Sequence, residues 1–375
     1  MDDFYKSNDK RLDMAKTYGG KLSIEIDTLE DLRNAQELIK NFKDNSEGLT
    51  TVELTKQYLI KKGVFKNPKV DFIDIGNINH IYKITSGGKE LYLKYYGINP
   101  RRTTEAIEMI GYTTSRFENE VEALGFLNKT LDDKYKGAIP KIYFIDYENR
   151  VLLMTDIAQN KENLKGALLK EYNLNEIKKP IKELASMVAQ QHARSINKKL
   201  ENTDENFVRR FYNFRTFNSA VNLTQNEREL IKKRAEKILK ENGEFQCLIN
   251  ADISPKQIFI NKDEIGICDF EILSPGVASH DIGFFIGNLR LIEIIKEDKN
   301  IGKIIEEFLK TYFNELNIEL NENKDRFIEF TKENLKFFIG LGMLNRIDAV
   351  PLEEYIPENK VQNIREEAKK LIFNS

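Results

Sequence analysis

At 375 residues, with 41% hydrophobic and 10% aromatic side chains, the chain can bury a sizeable core and form two packed units or two lobes about a cleft. Its formal net charge of −2 argues against a nucleic-acid partner, which needs a strong positive field. No apolar run reaches the roughly 18 residues of a membrane span, so no membrane partner is expected.

The opening MDDFYKSNDKRLD lacks the basic start and apolar stretch of a signal peptide. Residues 1–48 read as a helical extension, with TLEDLRNAQELIKNF in helical period behind a capping pattern of Thr28 and Asp31. LTTVELTKQYLIKKG predicts a further helix that Gly63 stops. Residues 69–76, 80–85 and 90–96 then read as short strands, the last two joined by a hairpin at Gly87-Gly88. SRFENEVEALGFLNKTL predicts a helix with Phe117, Val121, Leu124 and Leu127 on its apolar stripe, and KIYFIDY and RVLLMTDI predict two more strands. Beyond Asp156 the pattern is mostly helical, interrupted by a strand pair around 258–268. The expected fold is α+β and bilobal, with a β-rich N-terminal lobe over 49–155 and a mainly helical C-terminal lobe over 156–375. Cys247 and Cys268 both lie in apolar runs, which predicts free buried thiols and a reducing cytoplasm. The oligomeric state stays open.

The stretch LINADISPKQIFINKDEIGICDFE carries the chemistry. Asp252 sits in a polar loop before the strand pair, and Asp269 follows it with Phe270 and Glu271. Phosphoryl transfer needs such a layout: one carboxylate to orient the acceptor hydroxyl, another to hold Mg²⁺ on the nucleotide phosphates. On this reading Asp252 is the base, Asp269 and Glu271 bind the metal, and the Gln257 amide lends a neutral oxygen. A nucleotide site of this kind also needs a strand cation held by a helix carboxylate, and Lys94 in LYLKYY and Glu120 on the next helix fill those places. Singly, each of these residues has a plain structural reading as a turn cap, a strand end or a surface charge. Their order and element types together favour the site. No GxGxxG loop is present, so phosphate grip in the first turn falls to the backbone and side chains around Gly76 and Asn77. Adenine is expected against Met154, Asp156 and Ile157.

These segments resemble the aminoglycoside-phosphotransferase-like small-molecule kinases of protein-kinase-like fold. Their catalytic loop often reads HGDLSPKNIF, and this chain has NADISPKQIF. The nearest resemblance is to the 5-methylthioribose kinases. LTTVELTKQYLIKKGVF…IDIGNINHIYKI is similar to their opening helix and first turn, and CDFEILSPGVASHDIGFFIGNL to their D-P-E…G-P…D-I-G…N-L run. The resemblance implies an ATP- and Mg²⁺-dependent kinase acting on a hydroxyl of a small molecule, a sugar or methylthioribose-like acceptor. It also implies that Arg346, in GMLNRIDAV, contacts that acceptor together with Asp252. Departures are Asn250 for the usual His, Ala251 for Gly, Gln257 for Asn, Asn345 in place of a second arginine, and the lack of any Trp. They keep two alternatives in view: an aminoglycoside-type antibiotic phosphotransferase and a nucleotide-binding module without catalysis. Asp281 reads as an anchor for the catalytic loop, His192 as a packing residue, and Arg101-Arg102 as a solvated pair.

Overall fold

In a computed structural model that describes residues 48–74, 78–102, 111, 113–217, 222–241, 243, 245–320, 324–348 and 355–374, the chain forms a sheet-based lobe followed by a helical one. The helix expected behind Thr28, and the turn residues Gly76 and Asn77, lie outside the described residues. Helix α1 (Val52–Lys61) begins where the Thr51 side chain accepts from Leu54 N at 3.2 Å, and the chain leaves it through Gly63 at a φ of 69°. Strands β1 (Lys69–Ile73), β2 (His80–Ser86) and β3 (Lys89–Tyr95) follow, then helix α2 (Arg116–Thr130), β4 (Ile142–Asp146) and β5 (Val151–Thr155). They make one antiparallel sheet in the order β1-β2-β3-β5-β4. The β2–β3 hairpin pairs Ser86 with Lys89, and Gly87 and Gly88 both take positive φ, 56° and 76°, as a two-residue turn of matching twist demands. That turn sets the register that pairs Lys94 with Ile81 on one side and Leu152 on the other.

The period of two decides what faces the cleft. Leu91, Leu93 and Tyr95 join Leu59, Val70, Tyr82 and Ile84 in a core beneath α1. Tyr96, Leu152 and Met154 belong to the larger core that runs through Phe117, Leu124 and Leu127 of α2 into the helical lobe. Lys94 is therefore on the sheet face turned to α2 and the second lobe.

The helical lobe opens with β6 (Glu162–Asn163), α3 (Leu164–Leu169), α4 (Leu174–Arg194), α5 (Glu205–Phe217) and α6 (Gln225–Glu241). Strand β7 (Gln246–Ile249) leads into the acidic loop, and β8 (Ile258–Ile260) with β9 (Ile265–Ile267) is the expected strand pair. Strand β10 (Ser274–Val277) pairs back on β7, and α7 (Ala278–Lys296), α8 (Asn300–Glu319), α9 (Lys324–Ile347) and α10 (Glu358–Phe373) complete the lobe. Helix α7 is buried almost throughout and crosses α9 backbone to backbone. A Cβ on Gly283 would stand 2.5 Å from Phe338 Cβ, and one on Gly287 would stand 2.7 Å from the Ile339 carbonyl oxygen. This close crossing places Asp281 and Asn288 of α7 and Arg346 of α9 under the acidic loop. Cys247 and Cys268 are both free thiols. The sequence reading did not anticipate α3, α5, β7 or β10.

Candidate active site

Lys94 is 6% exposed and stands among three carboxylates. Its Nζ donates to Glu120 Oε2 at 2.7 Å and to Asp269 Oδ1 at 2.9 Å, and lies 2.9 Å from Glu271 Oε2. The Tyr96 hydroxyl also donates to Glu120 Oε2. Glu271 is held further by Asn79 Nδ2 at 2.7 Å and by Arg116 Nη1 at 2.5 Å. Arg116 and Glu120 are four apart on α2 and so share a face, while Asn119 on that face donates to the carbonyls of Glu271 and Leu273. Burial alone would lower the Lys94 ammonium, but the charges of Asp269, Glu120 and Glu271 raise it well above the usual lysine value. Burial pushes the Glu120 carboxyl up to about 7 against the pull of Lys94. Burial acts the same way on Asp269, yet there Lys94 prevails and holds the carboxyl below its usual value.

The oxygens of Glu120, Asp269 and Glu271 lie within 4.8 Å of one another and form a hard donor set suited to a divalent cation. Their environments differ. Glu120 and Glu271 side chains are 2% and 10% exposed and already compensated by Lys94 and Arg116, whereas Asp269 is 39% exposed. Asp269 is thus the most exposed carboxylate of the three. Its φ of 74° is a left-handed conformation for a residue with a Cβ, of the sort stored at functional sites. Glu271, expected beside it on the metal, belongs to the same donor set, and its oxygens are also met by Asn79, Lys94 and Arg116.

The acidic loop is built from below. The fully buried Asp281 carboxylate accepts from Asn250 N at 2.7 Å and Ala251 N at 2.8 Å, which is the anchoring expected of it. His192 Nε2 stands 3.3 Å from the same carboxylate, and its Nδ1 is 2.8 Å from the Tyr312 hydroxyl. Ala251 takes a φ of 59°, and Asp252 N donates back to Asn250 O at 2.7 Å, so a three-residue turn lifts the Asp252 side chain out of the loop. Gln257 accepts from Ser254 N and Oγ, both at 2.9 Å, through Oε1. Its Nε2 consequently faces Asp252 Oδ2 at 3.5 Å and Asp269 Oδ2 at 3.4 Å. Gln257 separates the two carboxylates with an amide N–H; the oxygen expected to reach a metal is taken by Ser254.

Arg346, 7% exposed, has Nη2 3.8 Å from Asp252 Oδ1, and its Nε donates to Asn288 Oδ1 at 3.0 Å. A small cavity at this place is lined by Lys165, Ser254, Lys256, Asn288, Arg346 and Tyr355 among others. Met154, within β5, and Ile157, just beyond it, are both buried, and the Asp156 side chain accepts from Ala158 N at 2.7 Å. A Cβ on Gly266 of β9 would stand 2.5 Å from the Ile157 carbonyl oxygen, so only glycine lets this connection lie so close. Of the expected solvated pair, Arg102 is exposed and Arg101 is largely covered. They hold Asp74 at 2.5 and 2.8 Å. Sequence reasoning missed Asn79, Tyr96 and Arg116. Arg116 alone carried a signal, its spacing of four from Glu120.

A sheet lobe over a helical lobe, with a strand lysine and a helix glutamate meeting an acidic segment in the cleft, defines the fold of the aminoglycoside phosphotransferases and choline kinases. Three solved structures carry the likeness. A Ralstonia eutropha JMP134 protein, provisionally assigned as an aminoglycoside phosphotransferase, is 12% identical with a TM-score of 0.53, over 86% of this chain and 98% of that one. Choline kinase from Cryptosporidium parvum Iowa II is 14% identical with a TM-score of 0.52, over 90% and 97%. A Plasmodium vivax ethanolamine kinase is 13% identical with a TM-score of 0.50, over 97% and 94%. No protein-family model and no curated protein matches the chain. At these identities the likeness establishes the fold.

Proposed function

We propose that this protein transfers the γ-phosphoryl group of ATP to a hydroxyl of a small polyhydroxylated acceptor. One observation carries the reading: Lys94 Nζ, from the sheet lobe, lies within 2.9 Å of Asp269, from the helical lobe, and Gln257 ties Asp269 to Asp252. In this reading the lobe of residues 49–155 binds the nucleotide. Lys94 neutralises α- and β-phosphate charge with Glu120 fixing its position, the segment Met154–Ile157 meets adenine, and the turn at Gly76 and Asn77 covers the phosphates. Bound Mg²⁺ supplies charge neutralisation between the phosphates, and Asp269 is the residue to hold it. Glu271 positions Lys94 and Arg116 and is assigned no first place on the ion. Asp252 orients the acceptor hydroxyl and takes its proton as the oxygen bonds to γ-phosphorus and the bond to the β-phosphate oxygen breaks, releasing ADP. Arg346 holds the acceptor beside Asp252. The sugar-like acceptor follows from the resemblance to methylthioribose kinases, and two free cysteines fit a cytoplasmic setting.

Calorimetric titration with ATP, with and without Mg²⁺, tests the nucleotide half, and ADP release against a panel of hydroxyl acceptors tests the transfer. Mg²⁺-dependent binding with acceptor-stimulated ADP release is expected. A protein that binds no ATP in the presence of Mg²⁺ overturns the reading.

A further inference from the structure

Glu271 belongs to the helical lobe, yet the side chains that hold it come from the sheet lobe. Its carboxylate meets Asn79, just before β2, Lys94 of β3 and Arg116 of α2, and its backbone carbonyl accepts from Asn119 of α2 at 3.1 Å. Among these, Asn79 has both ends of its side chain in use. Its Nδ2 donates to Glu271 Oε2 at 2.7 Å, and its Oδ1 accepts from Arg116 Nη2 at 3.3 Å. The residue is 7% exposed. Turning the amide over would set its oxygen against the carboxylate and its NH₂ against the guanidinium, so its neighbours fix its orientation. An isosteric carboxylate in its place would meet Glu271 with like charge.

Lys94 and Asp269 can serve one triphosphate only if the two lobes stand at the right separation. Asn79 immediately precedes β2, and β2 pairs with the strand that carries Lys94, Ile81 opposite Lys94 itself. Glu271 lies two residues beyond Asp269. The Asn79–Glu271 bond therefore joins the strand pair that holds the cation to the segment that holds Asp269. We propose that Asn79 is a positioning residue for phosphoryl transfer: by bonding Glu271 across the cleft it sets the separation of the lobes at which Lys94 and Asp269 act on the same phosphates. This rests on the phosphotransferase reading above and adds to it a residue that acts through Glu271.

The test is an exchange of donor and acceptor. Asn79→Asp alone brings two carboxylates together. Glu271→Gln alone brings two NH₂ groups together, because Arg116 keeps the amide oxygen on its own side. Both substitutions in one chain remake the bond with its direction reversed and leave the charge of the pair as it was. Glu271→Gln also costs the contact with Lys94 and any share Glu271 takes in holding the metal, but these losses recur in the double variant, so a double-mutant cycle cancels them. The Kd for Mg-ATP is measured by calorimetry on wild type, both single variants and the double, with a urea midpoint for each. Each single variant is expected to bind Mg-ATP about tenfold more weakly, and the double to lose at least about tenfold less than the product of the two single losses. A bond that only braces the fold would couple in the urea midpoints and leave the Mg-ATP losses multiplicative. That pattern, or losses that multiply in both measurements, overturns the proposal. If Asn79→Asp does not fold, Asn79→Ala, which brings no charge to Glu271, decides in its place: Mg-ATP binding weakened about tenfold supports the proposal, and binding like wild type overturns it. Wild-type protein that binds no Mg-ATP removes the phosphotransferase reading and the proposal with it.

Discussion

The two acidic regions of the cleft are built on opposite plans. Around Lys94 the two glutamates are buried and engaged: Glu120 and Glu271 have Lys94, Tyr96, Asn79 and Arg116 at hydrogen-bond range, drawn from a strand, a turn and a helix. Around Asp252 the neighbours include Gln257 Nε2 at 3.5 Å and Arg346 Nη2 at 3.8 Å, and the side chain is 18% exposed. A buried network of paired charges braces the lobes, and breaking one partner leaves an uncompensated charge. Asp252 instead is held through its backbone and keeps part of its side chain open to solvent. Rigidity is supplied to Asp252 from beneath, by Asp281 gripping the backbone amides of Asn250 and Ala251.

This contrast predicts that the two regions fail differently. Asp252→Asn keeps shape and removes the base. Phosphoryl transfer should fall by about 10²–10⁴-fold, with Mg-ATP affinity and unfolding midpoint nearly unchanged, since a general base contributes in that range. Steady-state rates, calorimetry and a denaturation curve on one preparation check this, and a normal rate in the Asn variant would remove Asp252 from the chemistry.

Lys94→Met should fail by folding. Removing the cation leaves three carboxylates facing one another, a loss of about 3–5 kcal/mol for one partner of a buried pair. The pH dependence has a definite sign. A carboxyl raised to about 7, as Glu120 is, favours folding below its ordinary value and loses that contribution as pH rises through 7. Asp269 is lowered, so its contribution is present above its ordinary value and lost as pH falls. That second contribution depends on Lys94 and disappears with it. The variant should therefore be less destabilised at pH 5 than at pH 8, where wild type keeps its ammonium. Urea midpoints at the two pH values decide it, and equal destabilisation would mean that the carboxylates do not interact as described.

Arg346→Ala lies between the two plans, because the side chain is buried yet borders the cavity near Asp252 and is proposed to hold the acceptor. Acceptor kcat/KM should drop about ten- to a hundredfold, the loss of one or two charge-assisted hydrogen bonds, roughly 1.5–3 kcal/mol. The KM for ATP should hold. An equal loss on both substrates would place Arg346 with the bracing residues.

What the sequence disclosed follows the range of the interactions. Lys94 was legible because a period-two strand and a two-glycine hairpin fix which face it takes, and Glu120 because the next helix has one apolar stripe. The acidic residues at 252 and 269 were legible from a local loop–strand–strand pattern. Strands β7 and β10 were not. Gln246 pairs with Val277, 31 residues on, and Pro275-Gly276 reads locally as a breaker, although an edge strand tolerates it. The engagement of Glu271 and the rotation of Gln257 also escaped, since both depend on side chains from other elements. The cavity beside Arg346 is still less local, for α3, α9, the acidic loop and Tyr355 meet there only in the folded chain.

The smallest effect concerns Ala251, where relatives by resemblance carry glycine. Its φ of 59° is a conformation that costs a residue with a Cβ about 1–2 kcal/mol. The strain persists because Asp281 holds the Ala251 amide at 2.8 Å and the turn closes through Asp252 N. Ala251→Gly should relieve it, while glycine's greater freedom in the unfolded chain returns about 0.4–1 kcal/mol to the other side. The net expectation is a stabilisation of about 1 kcal/mol or less, with turnover within roughly twofold, because the anchoring hydrogen bonds come from backbone amides that the substitution keeps. A urea midpoint that shifts slightly upward with unchanged kcat fits a loop whose geometry is imposed by Asp281. A midpoint that falls by more than about 1 kcal/mol would show that the alanine methyl packs in the turn, and that the loop is held by side-chain contact as the Lys94 cluster is.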